Sequence, residues 1–447
     1  MASTVLASVS CTKSPVLTIS GGKVRGVAAD VPGVTVFKGI PFAAPPVDSL
    51  RWAAPRPVIP WEGVKVADTW GPAPWQEELS QMPFYGKEFY SGEAPQMSED
   101  CLYLNVWAPS KTLGKTEAKL PVAVWIHGGA FTHGYGYELP MDGTAWAQNG
   151  VILVTINYRV GMMGFFASSL IRSVQGANAR PADFGLFDQF AALAWVKDNI
   201  GQFGGDPSNI TVMGQSAGAM SIKLLVSSPI TIPLISKAII QSGGGIDQSE
   251  QADRFFYEEA EKQGDAFCAF AGYETREQLY AASAQELMEK YDKYTAQGGV
   301  LTLRPCLEFG LVGSSFTTAS ALNRVADIPY LIGYTTGDPE SWERHVDQFC
   351  ASRNYFSGAP VYQYRFAREL PGDGAGAFHS AELWYMFGTL DRCWRPLTEE
   401  DKVLSDEMIK AWTNFCRYGN PCGAQPGSYW PAFTADYPYR KILDVGR

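Results

Sequence analysis

The chain has 447 residues, 46% of them hydrophobic and 18% charged, and a formal net charge of −10. Such a balance describes an ordinary globular protein with a large core. An acidic surface without a lysine or arginine block argues against nucleic acid or an anionic membrane as partner.

No apolar run reaches the roughly 18 residues that a membrane-spanning helix needs. The opening Met1–Cys11 has no basic residue ahead of its apolar ones, so a cytoplasmic location is expected, with secretion behind a removed signal as the alternative. Eight scattered cysteines without a Cys-x-x-Cys pair, and four histidines with none beside a cysteine, point to a reduced chain without a zinc site.

In chain order, Val34–Ile40 reads as a strand ahead of a stretch rich in proline and aromatics. Pro121–Ile126 and Gly150–Ile156 are continuous apolar runs of the kind buried on both faces of a sheet. Leu186–Ile200 has few polar positions and is expected as a helix covered on most sides, stopped at Gly201. The strand Ile210–Met213, a helix after Ser216 and the strand Lys237–Gln241 follow. Apolar strands alternating with helices predict an α/β fold with a mostly parallel central sheet and helices on both faces.

From about Asp247 to Gln297 the pattern turns helical, with capping-box signatures at Thr275-x-x-Gln278 and Ser283-x-x-Glu286. Strand character returns at Pro329–Gly333 and Pro360–Phe366. A last amphipathic helix carries Leu404, Met408, Trp412 and Phe415 on one stripe and ends at Gly419. Without internal repeats, the expected organisation is one domain over 1–447 with a helical insertion at about 247–325.

Chemistry concentrates in Gly214-Gln215-Ser216-Ala217-Gly218, between a strand and a helix. That setting makes the pentapeptide the nucleophile elbow of an α/β-hydrolase, a sharp turn that presents the Ser216 hydroxyl. His127-Gly128-Gly129-Ala130-Phe131 directly follows the strand ending at Ile126. Ester cleavage places negative charge on the carbonyl oxygen, and preorganised amides stabilise it. Gly128, Gly129 and Ala217 are the expected donors.

Only imidazole titrates near neutrality without heavy tuning. His127 and His133 lie in the glycine loop, and His345 sits in a charged stretch. His379, in a loop after the last strand candidate, is the expected base and falls after the acid in chain order. The acid is expected at the end of the strand Ile328–Gly333, where Asp338 and Glu340 are both candidates.

At this point the sequence resembles a known family, the type-B carboxylesterases, which include cholinesterases and bacterial para-nitrobenzyl esterases. The likeness runs through Gly39–Pro46, Ser98–Val106, the His127 loop, Asn157–Arg159, Gly185–Gln189, Phe203–Thr211, the Ser216 elbow and Gln241–Gly243. The resemblance implies Ser216, His379 and Asp338 as the triad, with Asp338 favoured over Glu340 by its distance from Gly333. It also implies Gly128, Gly129 and Ala217 as the oxyanion hole, and a bacterial enzyme that needs neither metal nor organic cofactor.

Four departures from the family pattern stand out. The acid position carries aspartate where glutamate is usual, and the bridge usually made by the cysteine at position 101 is expected to be missing. Gln215 replaces the glutamate of cholinesterases, and only about twenty residues separate Glu340 from Val361 where relatives carry a longer helical segment. Arg159, Asp188 and Asp206 are expected to be scaffolding.

Substrate choice is less legible. Trp70, Trp75, Phe84, Tyr85, Phe89 and Tyr90 precede the Ser98 motif, and Phe131, Gln215 and Trp342 are candidates for pocket walls. An aromatic wall favours hydrophobic or aryl esters. The expected partner is a small ester, bound by a monomer or homodimer. A hydrolase of amides, lactones or thioesters is the alternative, and a non-catalytic binding protein on the same fold a remoter one.

Overall fold

The computed structural model describes residues 14–175, 179–247, 255–424 and 429–446. Among them run thirteen strands. These are β1 (Val16–Ile19), β2 (Gly22–Arg25), β3 (Val27–Ala28), β4 (Val34–Pro41), β5 (Val64–Val66), β6 (Tyr103–Pro109) and β7 (Leu120–Ile126), followed by β8 (Ile152–Ile156), β9 (Gly205–Gln215), β10 (Lys237–Gln241), β11 (Tyr330–Thr335), β12 (Val361–Phe366) and β13 (Lys441–Leu443). β1, β2 and β5 form a small sheet, and the other ten form one sheet in the order β13-β12-β11-β10-β9-β7-β8-β6-β4-β3. From β13 to β8 every neighbouring pair is parallel, while β6, β4 and β3 add an antiparallel edge. The alternation of apolar strands and helices predicted this mostly parallel α/β sheet, and its arrangement is the α/β-hydrolase fold that the Ser216 elbow pointed to.

Side chains of successive residues leave a strand on opposite faces, and β7 shows how the two cores arise. Val122, Val124 and Ile126 pack with Ile210 and Val212 against Leu186, Leu193, Val196 and Ile222. These last four come from the helices Phe184–Asn199 and Ala217–Leu225. Ala123 and Trp125 face the other way, packing with Met213 against Leu404, Met408, Trp412 and Phe415 of the helix Glu399–Tyr418. Burial on both faces explains why these strands read as unbroken apolar runs. The last helix closes on Gly419 with φ at +69°, the left-handed turn that its glycine permits.

The Asp247–Gln297 region is helical where it is described, in Tyr257–Ala271, Arg276–Ala281 and Ala284–Ala296; residues 248–254 lie outside the described residues. Thr275 and Gln278 form a reciprocal capping box, and Ser283 accepts from the Glu286 amide. The short stretch after Glu340 is itself a helix, Ser341–Phe356. Cys101 is a buried free thiol, and Cys11 falls outside the described residues. Arg159 and Asp188 form a buried ion pair with contacts of 2.7 and 2.8 Å, which supports their scaffolding assignment. Among the described residues no helix is long and apolar enough to cross a membrane.

Candidate active site

Parallel strands of an α/β sheet leave a crevice beyond their carboxyl ends. The loops after β7, β9, β11 and β12 meet there. At the end of β9 the chain passes through Ser216 with φ at +56° and ψ at −124° before the helix Ala217–Leu225 begins. A serine in this region costs on the order of 1–3 kcal/mol. The surroundings hold it in place. Its amide donates to the Gln241 carbonyl at 3.0 Å, and a methyl on Gly218 would stand 2.0 Å from the Ile126 carbonyl oxygen. The helix therefore starts tight against β7, which only a glycine allows.

The glycine loop after β7 lies against this elbow. A side chain at Gly128 would sit 3.1 Å from Cβ of Ser216, and Gly129 takes a φ of +103°. Among the described residues the amides of Gly128 and Gly129 donate no hydrogen bond. Ala217 opens its helix, so its amide has no acceptor a turn earlier. His127 is buried in the loop, stacked on Tyr158 at 4.2 Å, and burial lowers its pKa to about 3. His133 also lines the cavity and is lowered by burial to about 4.

Asp338 sits in the turn after β11, where its Oδ2 accepts the Thr335 amide at 2.8 Å. His379 sits in the loop after β12, joined to that turn by Gly337 N–H donating to the Ala377 carbonyl at 2.9 Å. His379 Nδ1 donates to Asp338 Oδ1 at 2.5 Å, and the Tyr85 hydroxyl donates to the His379 carbonyl at 3.1 Å. Glu340 is exposed and does not meet the imidazole. Burial disfavours the imidazolium, but Asp338 and then Glu382 outweigh it, leaving the His379 pKa raised.

One cavity of about 190 Å³ is shared by Ser216, His379, Gly128, Gly129 and Gln215. Nε2 of His379 faces the Gln215 side-chain amide at 3.1 Å. With Nδ1 donating to Asp338, Nε2 is the acceptor, so in this arrangement Gln215 occupies the lone pair that a serine hydroxyl would use. Tyr85, Phe89 and Tyr90 line the same cavity. Phe84 packs on Phe378 at 4.9 Å, Trp70 stacks on Tyr137 at 5.1 Å, and Trp75 lines a separate cavity. Phe131 and Trp342 border a neighbouring cavity, and the Trp342 ring lies 6.0 Å from that of His379.

Two buried acids went unread in the sequence. Glu382, three residues after His379, is raised to about 7 by burial and then by Asp338, and its Oε1 lies 3.5 Å from the Ser242 hydroxyl. Glu138 lines the Ser216 cavity, and burial raises its pKa to about 8. Their shifts come from burial, which no local sequence signal records. No cluster of three or more metal-ligating side chains occurs among the described residues.

The family model of the carboxylesterase family matches residues 13–349 and 345–446. The chain belongs to the carboxylesterase family. It is 33% identical to the para-nitrobenzyl esterase of Bacillus subtilis strain 168, over 96% of this chain and 94% of that one. It is 32% identical to the fumonisin B1 esterase of Sphingopyxis macrogoltabida, over 92% and 83%. A solved thermophilic PNB esterase superposes with a TM-score of 0.82 at 33% identity, covering 96% of each chain. This carboxylesterase is therefore a carboxylic ester hydrolase.

Proposed function

We propose that this carboxylesterase is a serine esterase in which Ser216 is the nucleophile, His379 the base and Asp338 the acid, acting on small esters with a hydrophobic or aryl part. The observation that carries the reading is the 2.5 Å contact from His379 Nδ1 to Asp338, made by an imidazole that shares one cavity with Ser216 and the Gly128–Gly129 amides. The carboxylate holds the tautomer whose Nε2 lone pair faces the cavity and stabilises the imidazolium that forms.

Turnover begins when the Gln215 amide yields Nε2 to the Ser216 hydroxyl. Oγ then attacks the ester carbonyl while Nε2 takes its proton, and the oxyanion rests on the Gly128, Gly129 and Ala217 amides. The alcohol leaves with the proton from Nε2. Water, deprotonated by the same nitrogen, next cleaves the acyl-enzyme and frees the acid.

The test pairs a p-nitrophenyl ester with the matching p-nitroanilide and a fluorophosphonate label. Hydrolysis of the ester, label on Ser216 by mass spectrometry, and loss of both in Ser216→Ala are expected. Hydrolysis of the anilide alone, or label on another residue, overturns the reading.

A further inference from the structure

Glu88 belongs to the short helix Tyr85–Phe89, in the long connection between β5 and β6. A carboxylate leaves water only when partners satisfy it, and Glu88 is 1% exposed. Its oxygens accept from Trp384 Nε1 and Trp394 Nε1, both at 2.9 Å, and from Arg395 Nε at 3.1 Å. The buried Arg395 carries the chain of contacts further. Its Nη1 donates to the Asp373 carboxylate at 2.6 Å and to the Pro371 carbonyl at 3.1 Å.

These contacts enclose the proposed base. Pro371 and Asp373 precede His379 in the chain, while Trp384, Trp394 and Arg395 follow it. Among the described residues no helix or strand lies between Phe366 and Leu383. Gly372, Gly374 and Gly376 all take positive φ there, and glycine leaves a backbone many alternatives. The shape of this loop is therefore set by what packs on it.

The helix that carries Glu88 also reaches the loop directly. The Tyr85 hydroxyl donates to the His379 carbonyl at 3.1 Å. Phe84 packs edge-on against Phe378 at 4.9 Å, and Phe89 lies 5.7 Å from the Trp384 ring. Ser216 is held elsewhere, at the end of β9, which pairs with β7 and β10. A shift of the loop thus moves the imidazole and leaves the hydroxyl behind. A misplacement of about 1 Å is enough to cost on the order of 10²-fold in rate.

We infer that Glu88 is a positioning residue for His379. It pins both flanks of the loop that carries the imidazole, and its helix holds the His379 backbone through Tyr85. The inference rests on the serine-esterase reading above. Asp338 turns the ring, and Glu88 sets where the ring stands. Tyr85 and Phe89 also line the Ser216 cavity, so the wall that meets the substrate and the base that acts on it form one unit.

The experiment measures kcat and KM on a p-nitrophenyl ester. In the free enzyme it follows the low-field proton resonance of His379 Nδ1–H, assigned by its loss in Asp338→Asn. Glu88→Gln is expected to lower kcat about 30-fold, with KM within about twofold, and to weaken that resonance. Tyr85→Phe deletes one hydroxyl and should lower kcat about fivefold. In an Asp338→Asn background, Glu88→Gln should cost less than about threefold, because a misoriented base has little left to lose. A loss of structure alone would multiply in full. If Glu88→Gln gives no folded protein by circular dichroism, Trp394→Phe removes one N–H from the same carboxylate and should lower kcat about fivefold.

An unchanged kcat in Glu88→Gln, or in Trp394→Phe where that variant stands in, overturns the positioning role and leaves the esterase reading standing. Full multiplication of the Glu88 and Asp338 losses does the same. A weakened Nδ1–H resonance in Glu88→Gln, in a protein whose parent cleaves no ester, supports the positioning of His379 and overturns the esterase reading.

Discussion

At the residue scale, the choice between Asp338 and Glu340 turns on one contact. Both lie in the same turn, but the Asp338 side chain is fully buried against the imidazole while Glu340 is exposed. Asp338→Asn is expected to lower kcat by about 10³–10⁴-fold, because the amide favours the wrong imidazole tautomer. Glu340→Gln should stay within about twofold of the parent, and steady-state kinetics on a p-nitrophenyl ester check both. The raised His379 pKa sets the pH dependence. The base works as neutral imidazole, so kcat/KM should fall as pH drops through a midpoint above the ordinary histidine value of 6.5. Removing the Asp338 charge removes the largest raising influence, so residual activity of Asp338→Asn should titrate with a lower midpoint. A profile with the midpoint unmoved between the two proteins would deny that coupling. Glu382 and Glu138, by contrast, could not be read from sequence, because their pKa values come from burial supplied by distant segments.

At the element scale, the elbow works because the helix Ala217–Leu225 is pressed onto β7. Gly218→Ala drives a methyl into the Ile126 carbonyl oxygen, a backbone atom that cannot swing aside. The expected cost is about 1–3 kcal/mol of stability, with at least a tenfold loss of kcat as the Ser216 hydroxyl shifts; urea unfolding and kinetics measure the two. The strands β4 and β7 to β12 and the helices Phe184–Asn199 and Glu399–Tyr418 were legible because apolar runs and a 3.6-residue stripe leave direct traces in the sequence, whereas the short strands β1, β2, β3, β5 and β13, and β6, were not read. The helix Ser341–Phe356 was not, since its charged Glu343, Arg344 and Asp347 hide the buried set His345, Val346, Phe349, Cys350 and Arg353. His345 thus changes from one member of a charged run to part of a cavity wall. The Asp338–His379 pairing was anticipated from chain order, strand, acid, strand, histidine, and from the family resemblance, neither of which gives a distance. Parallel pairing of β11 with β12 turned that order into proximity.

At the scale of the whole molecule, the helical segment after the sheet's middle is tied to the opening third of the chain by Arg51. Its Nη1 donates to the Tyr280 and Ala282 carbonyls at 3.2 and 2.7 Å, while Nε donates to Glu99 at 2.6 Å. Arg51→Met should raise hydrogen–deuterium exchange across Arg276–Ala296 and leave exchange in β7, β9 and β10 unchanged, because the central sheet has its own core on both faces. Exchange rising equally through those strands would show that the anchor supports the fold as a whole. The sequence by itself determined the α/β class, the strand–Ser216–helix elbow, the glycine loop and the order of the candidate acid and base, since each depends on local periodicity or on backbone freedom at particular glycines. The resemblance favoured Asp338 over Glu340, but only the tertiary structure gave the contact itself, and only it decided that Gln215 lies against Nε2 and that Lys223, Arg304 and His345 share one cavity. Those relations join residues far apart in the chain, and their energies depend on distance and burial, which exist only once the chain has packed.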